Sequence, residues 1–158
     1  MIIKLETEIS APIDVCFDLS RSVDAHLFST RDTGERVVAG VMTGLMNLND
    51  TVTWQAKHVW TQRLTSRIVA FDRPHHFRDS MVSGFFKRFD HDHFFEERGT
   101  VTLVKDCFDF ESPFSVVGRI VDAVYLQHYL RRFLQERNRA LKQIAEHAAL
   151  CAQFLPGC

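Results

Sequence analysis

The segment Phe77-Arg78-Asp79-Ser80-Met81-Val82-Ser83-Gly84-Phe85-Phe86-Lys87-Arg88-Phe89-Asp90-His91-Asp92-His93-Phe94-Phe95 decides the fold, because it alternates, turns and alternates again. Phe77, Asp79 and Met81 share one parity before Gly84, and Phe89, His91, His93 and Phe95 share it afterwards, so each half reads as a strand with an aromatic-rich face. Keeping both faces on one side of a sheet requires a loop of odd length, and Gly84-Phe85-Phe86 is a three-residue hairpin loop. Asp79 then stands opposite His91.

Downstream, Thr100 to Phe110 forms the next strand, with Asp106, Phe108 and Phe110 on the inner parity. Joining odd to even inward residues needs an even loop, expected around Glu97-Arg98, which sets His91 opposite Val104 and Asp106 opposite Phe89. Asp106 is then diagonal to His91, at roughly 7–8 Å between backbones. The expected outcome is an Asp79, His91, Asp106 cluster with His93 one step along.

Upstream, Arg63 to Phe71 is a strand ended by Asp72-Arg73-Pro74, and an alternating stretch puts Val52, Trp54, Ala56, His58 and Trp60 on one face. Glu35 to Val41 follows the turn residues Arg31-Asp32-Thr33-Gly34, and residues 2 to 9 form the first strand. Pro12 and Asp14 open a helix through about Leu19, and Ser22 can cap a second short one over Val23 to Phe28. From Phe114 to Ala149 there is no proline, and no glycine after Gly118, so the spacing predicts one long helix. Its sheet-facing stripe is Val116, Ala123, Leu126, Leu130, Phe133, Leu134, Leu141, Ile144, Ala145 and Ala148. A second stripe, Val117, Val121, Val124 and Tyr125, predicts that the first half also meets loops or another subunit.

The 158 residues suit one domain, residues 1–158, with no repeat or linker and with the tail 150–158 expected to be flexible. Nineteen Lys and Arg, scattered among 20 Asp and Glu, leave no footprint for nucleic acid or an anionic membrane. No run approaches the roughly 18 apolar residues of a membrane span, and the N-terminus lacks a basic, then apolar, signal pattern. Cys16, Cys107, Cys151 and Cys158 show no C-x-x-C or framework spacing, which reads as reduced thiols and a cytoplasmic protein. No phosphate loop, G-x-S-x-G elbow or Cys-His pair is present, so nucleotide and nucleophilic chemistry lose their motifs. Fourteen Phe against two Tyr point instead to a lined apolar interior.

The element order, together with Phe77-x-Asp79-x-Met81-x-x-Gly84-x-Phe86, Phe89-x-His91-x-His93-x-Phe95 and Asp106-x-Phe108-x-Phe110-x-x-Pro113, resembles bacterial members of the START-like (SRPBCC) superfamily. The nearest look is to the subgroup associated with cell-division-inhibitor-like and carbon-monoxide-dehydrogenase accessory proteins. The resemblance covers residues 1 to about 147. It implies an α+β helix-grip fold: a seven-stranded curved antiparallel sheet wrapped around a long C-terminal helix, with two short helices after strand 1. The superfamily includes polyketide cyclases and dehydrases, lipid-transfer domains and pollen-allergen-like proteins. The resemblance therefore implies an internal cavity for a lipid, polyketide or aromatic molecule, and transfers no catalytic set.

The residues expected to meet such a ligand are Trp54, His58, Phe77, Asp79, Met81, Phe89, His91, His93, Phe95, Asp106, Phe108 and Leu130. Ionisable groups on an apolar face need a reason. One is recognition of the ligand's polar end; another is acid–base catalysis of a cyclase or dehydratase type by His91 with Asp79 and Asp106; a third is a satisfied network that fixes strand register. A partner-binding module, with a homodimer through the N-terminal half of the long helix, is a further alternative. His91-x-His93 puts two imidazoles on one face and Asp106 could add a third ligand. Without a helical His pair or a cysteine set, however, no metal or other cofactor is expected. Arg137, on the core stripe, could reach an inner carboxylate, while His26 and His128 read as lone core or surface histidines.

Overall fold

The computed structural model describes residues 1–57, 61–112, 119–156 and 158; for Lys57, Thr61 and 119–124 it describes the backbone alone. The chain begins with β1 (Ile2–Ile9), then α1 (Ile13–Ser20) and α2 (Val23–Ser29). Six strands follow: β2 (Arg36–Gly40), β3 (Thr51–Lys57), β4 (Thr61–Asp72), β5 (His76–Ser83), β6 (Arg88–Arg98) and β7 (Val101–Glu111). The long helix α3 (Arg119–Ala145) and the single turn α4 (Ala148–Cys151) complete it.

The strands form one seven-stranded antiparallel sheet in the order β1-β7-β6-β5-β4-β3-β2. The two short helices carry the chain from one edge of the sheet to the other. Register shifts between Thr65 and Ser66 and between Ile68 and Ala70 of β4 interrupt its ladder with β5, irregularities of the kind that bend and twist a strand. Ser22 caps α2, its Oγ accepting from the Ala25 N–H at 3.2 Å. This is the helix-grip α+β architecture.

Four features differ from expectation. The β6–β7 turn is Gly99-Thr100, not Glu97-Arg98, so His93 pairs with Asp106, His91 with Phe108 and Phe89 with Phe110. Loop parity fixes which face a residue takes, but not where the turn sits. Gly99, at φ +64°, supplies the left-handed residue of the two-residue connection. The long helix stops at Ala145, where the chain leaves helical geometry at His147 before α4, and Ala148 is exposed rather than core-facing. The last segment, expected as a loose tail, turns back so that Cys151 and Leu155 are buried in the main core. Cys151 is bonded to Cys158, with 5.6 Å between their Cα atoms, against the expectation that all four cysteines are reduced. Cys16 and Cys107 are free thiols.

Two apolar clusters hold the sheet to the helices. The larger centres on Phe17 of α1, whose ring meets Phe71, Phe77 and Phe95 edge-on at centroid distances of 5.4, 5.4 and 5.2 Å. The smaller joins Ile3, Phe89, Phe108 and Phe110 to Leu134 of α3. Space remains between them.

Candidate functional site

That space is a cavity of about 160 Å³ lined by the sheet, α2 and α3 and open in part to the surface. Trp54, Phe77, Phe89, Phe108, Leu130, Phe133 and Leu134 supply its apolar walls. Strand alternation brings Asp79, His91 and His93 to the same surface, and behind them lies Asp106 with 1% of its side chain exposed.

The four residues criss-cross between strands. Asp106 pairs with His93 in the ladder but accepts from His91 Nε2 at 3.1 Å, one step along the diagonal. Asp79 pairs with His91 but accepts from His93 Nε2 at 3.2 Å, with His91 Nδ1 at 3.8 Å from the same oxygen. His93 Nδ1 comes within 2.9 Å of Asp106 Oδ1, yet out of line for a hydrogen bond. From α3, Asn138 Nδ2 donates to Asp106 Oδ2 at 2.6 Å and to Thr7 Oγ1 at 3.2 Å. Arg137 Nη1 stands 3.7 Å from Asp106 Oδ1, while its Nη2 donates to the Ser20 carbonyl. His93 is the centre of the cluster, not its neighbour.

Burial pushes the Asp106 carboxyl up, but the His91 hydrogen bond, the close approach of His93 Nδ1 and the charges of both histidines outweigh it and hold it well below the usual carboxylate range. Asp79 is also lowered: burial raises it, and the His93 hydrogen bond with the charges of His91, His93 and Arg137 more than reverses that. His91 is lowered, first by burial and then by the neighbouring His93 charge. His93 is raised, because its contacts with Asp106 and Asp79 overcome the effect of burial. Two carboxyls held low thus face one histidine shifted up, one shifted down, and the Arg137 guanidinium.

Of the residues expected at the ligand, Trp54, Phe77, Asp79, Phe89, His91, His93, Phe108 and Leu130 line the cavity. Phe95 does not; α1 covers that end of the sheet and Phe95 packs on Phe17. Met81 packs at the edge of the smaller cluster, and Asp106 is shielded from the space by the histidines it orients. His58 lies outside the described residues, as do Trp60, Val116 and Val117 and the side chains of Val121 and Val124. Tyr125 is exposed.

Several lining residues were not anticipated. His26 is one, its ring tilted against Trp54 at 4.1 Å between centroids and its Nε2 3.0 Å from Glu35 Oε2. Only the packing of α2 over β3 brings these together. Asn138 had a readable signal: it interrupts the apolar stripe between Leu134 and Leu141, where a core-facing polar residue demands a partner.

No family model matches the chain, and neither does any curated protein. Solved structures do. A Thermus thermophilus protein, TTHA0849, superposes with a TM-score of 0.73 at 16% identity over 90% of this chain and 95% of that one. The fold is START-like. A START superfamily protein from Mycobacterium smegmatis superposes at a TM-score of 0.68 and 10% identity, over 92% of this chain and 97% of its own. Ginseng major latex-like protein 151 from Panax ginseng does so at 0.61 and 18%, over 92% and 97%. Among the described residues no helix of this START-like chain is long and apolar enough to cross a membrane.

Proposed function

We propose that this START-like domain binds or carries one small apolar molecule in the cavity between α3 and the sheet, with the Asp79, His91, His93 wall meeting its polar group. The observation that carries this reading is an aromatic-walled cavity of about 160 Å³ with Asp79, His91 and His93 together on one wall and the His26–Glu35 pair elsewhere in its lining. Its size narrows the ligand. A cavity of on the order of 150 Å³ takes a benzene-sized molecule, and sites for larger organic ligands run from roughly 300 Å³ upward. A one-ring aromatic fits the observed space; a diacyl lipid requires it to enlarge.

Mass spectrometry of solvent extracts of the purified protein, with indole and toluene titrated by calorimetry, tests the reading. A co-purifying aromatic, or saturable binding at one site that weakens at least about tenfold in Leu130→Trp, is the expected result. Empty extracts together with no saturable binding of either probe would sink it.

A second reading, cyclase- or dehydratase-like acid–base chemistry by His91 with Asp79, is favoured by the placement of both on the cavity wall, 3.8 Å apart. Incubating the extracted ligand with wild-type protein and with His91→Gln, and following loss of water by mass, separates binding from turnover. Equal conversion in both removes His91 from the chemistry.

A further inference from the structure

We infer that Asp79, His91 and His93 form a site for one divalent transition-metal ion, with Asp106 as the outer carboxylate that orients both histidines. The inference uses the same cavity wall as the ligand reading, but does not depend on which apolar molecule fills the space.

The geometry comes first. One ligand atom from each of the three residues can be chosen so that all lie within 4.8 Å of one another. Two edges are defined by the ion-pair distances: His93 Nε2 to Asp79 Oδ1 at 3.2 Å, and His91 Nδ1 to the same oxygen at 3.8 Å. A tetrahedral ion with bonds of about 2.0–2.1 Å has edges of roughly 3.3–3.4 Å between its ligand atoms, so these two edges are already close to it and the ligand atoms, none more than 4.8 Å from another, draw together on binding. The two imidazoles already lie side by side, 3.9 Å between centroids.

The surroundings are those a metal needs. A ligating histidine almost always gives its other ring nitrogen to a carboxylate or carbonyl. Here the second nitrogen of His91, Nε2, donates to Asp106 Oδ1 at 3.1 Å, and that of His93, Nδ1, stands 2.9 Å from the same oxygen, needing only a turn of the ring to align with it. Asp106 is itself held through its other oxygen by Asn138. Arg137, 3.7 Å from Asp106 and acting on Asp79 as well, offsets one of the two carboxylate charges and leaves one for the ion.

Two imidazoles among three ligands favour zinc or a neighbouring first-row ion over magnesium or calcium, which take oxygen. All three ligands line the cavity, so a fourth position opens onto the space where an apolar molecule sits. Sites left open in this way present the ion to a bound molecule, whereas structural zinc sites are closed. The polar group met by the wall would then be a ligand atom for the ion.

The test is titration of chelator-treated full-length protein with zinc chloride by calorimetry, and with cobalt chloride by visible absorption. One equivalent should bind, with cobalt bands of a four- or five-coordinate ion. The His91→Gln, His93→Gln double variant and Asp79→Asn, each checked for folding by circular dichroism, should lose it. Asp106→Asn, a change outside the ligand set, should weaken affinity about 10–100-fold without abolishing binding. No stoichiometric binding, octahedral cobalt bands, or binding unchanged in folded Asp79→Asn or Asp106→Asn would overturn the inference; the last would place the ion at exposed histidines such as His75. Zinc lost while indole is retained in Asp79→Asn separates this site from the apolar reading.

Discussion

Strands β5 and β6 carry two histidine–aspartate sets, one on each face. On the inner face are Asp79, His91 and His93; on the outer face, His76 and Arg78 surround Asp92. The outer Asp92 accepts from Arg78 Nε and Nη2 at 2.8 and 2.9 Å and from His76 Nε2 at 2.8 Å, all from the adjacent strand. Its Arg78 partner is 43% exposed. The inner groups draw on β5, β6, β7 and α3, and bury Asp106 almost completely. The same residue types in adjoining positions therefore have different consequences. Outside, water can replace a lost partner; inside, nothing can.

The largest expected contrast is between the two aspartates at the centres of these sets. Asp106→Ala removes the acceptor of His91 and Asn138 and the carboxylate beside His93, and should cost about 3–5 kcal/mol in urea denaturation of the metal-free protein. Asp92→Ala, with its guanidinium still able to reach water, should cost about 1 kcal/mol. Equal losses would erase the distinction between the faces.

A smaller effect sharpens it from the helix side. Asn138→Ala leaves Asp106 Oδ2 without its donor and should cost about 1–3 kcal/mol by the same measurement. A neutral outcome would mean that the strands alone hold the cluster.

The outer set also has a pH signature. Burial raises Asp92, but the hydrogen bonds of Arg78 and His76 and their charges outweigh it, so its folded carboxyl lies below the ordinary value. A lowered carboxylate contributes stability that is complete above the unfolded pKa and disappears as pH falls through the folded one. The stability gap between wild type and Asp92→Asn should thus be constant above about pH 5 and close on further acidification. A gap that widens in acid contradicts the assignment.

Least of all should change at the far end of β6. Glu96, brought to about 2 by Lys105 and Arg98, is fully exposed. Glu96→Gln should leave the thermal midpoint unmoved at physiological salt, because solvent screens the pair.

The legible part of the site followed from alternation. Phe77, Asp79, His91 and His93 face inward because side chains alternate along a strand, and the three-residue loop at Gly84 placed Asp79 opposite His91, as the ladder has it. The next hairpin shows the limit. Parity required an even loop, and both Glu97-Arg98 and Gly99-Thr100 satisfy it; moving between them shifts every pairing without turning a side chain over. That ambiguity displaced Asp106 from Phe89 to His93 and made His93 the bridge. Phe95 had the right parity and still missed the cavity, because Phe17 reaches it first.

By itself, the sequence determined the order of elements, the aromatic inner face and the presence of acidic and histidine groups on it. All of these follow from local periodicity and turn chemistry. Only the tertiary structure decided which nitrogen meets which oxygen, that Asn138 and Arg137 close the cluster from α3, and that His26 and Glu35 share the cavity. Those contacts join residues far apart in the chain, at 2.6 Å between Asn138 and Asp106, and no spacing along the sequence encodes a distance across a packed interior.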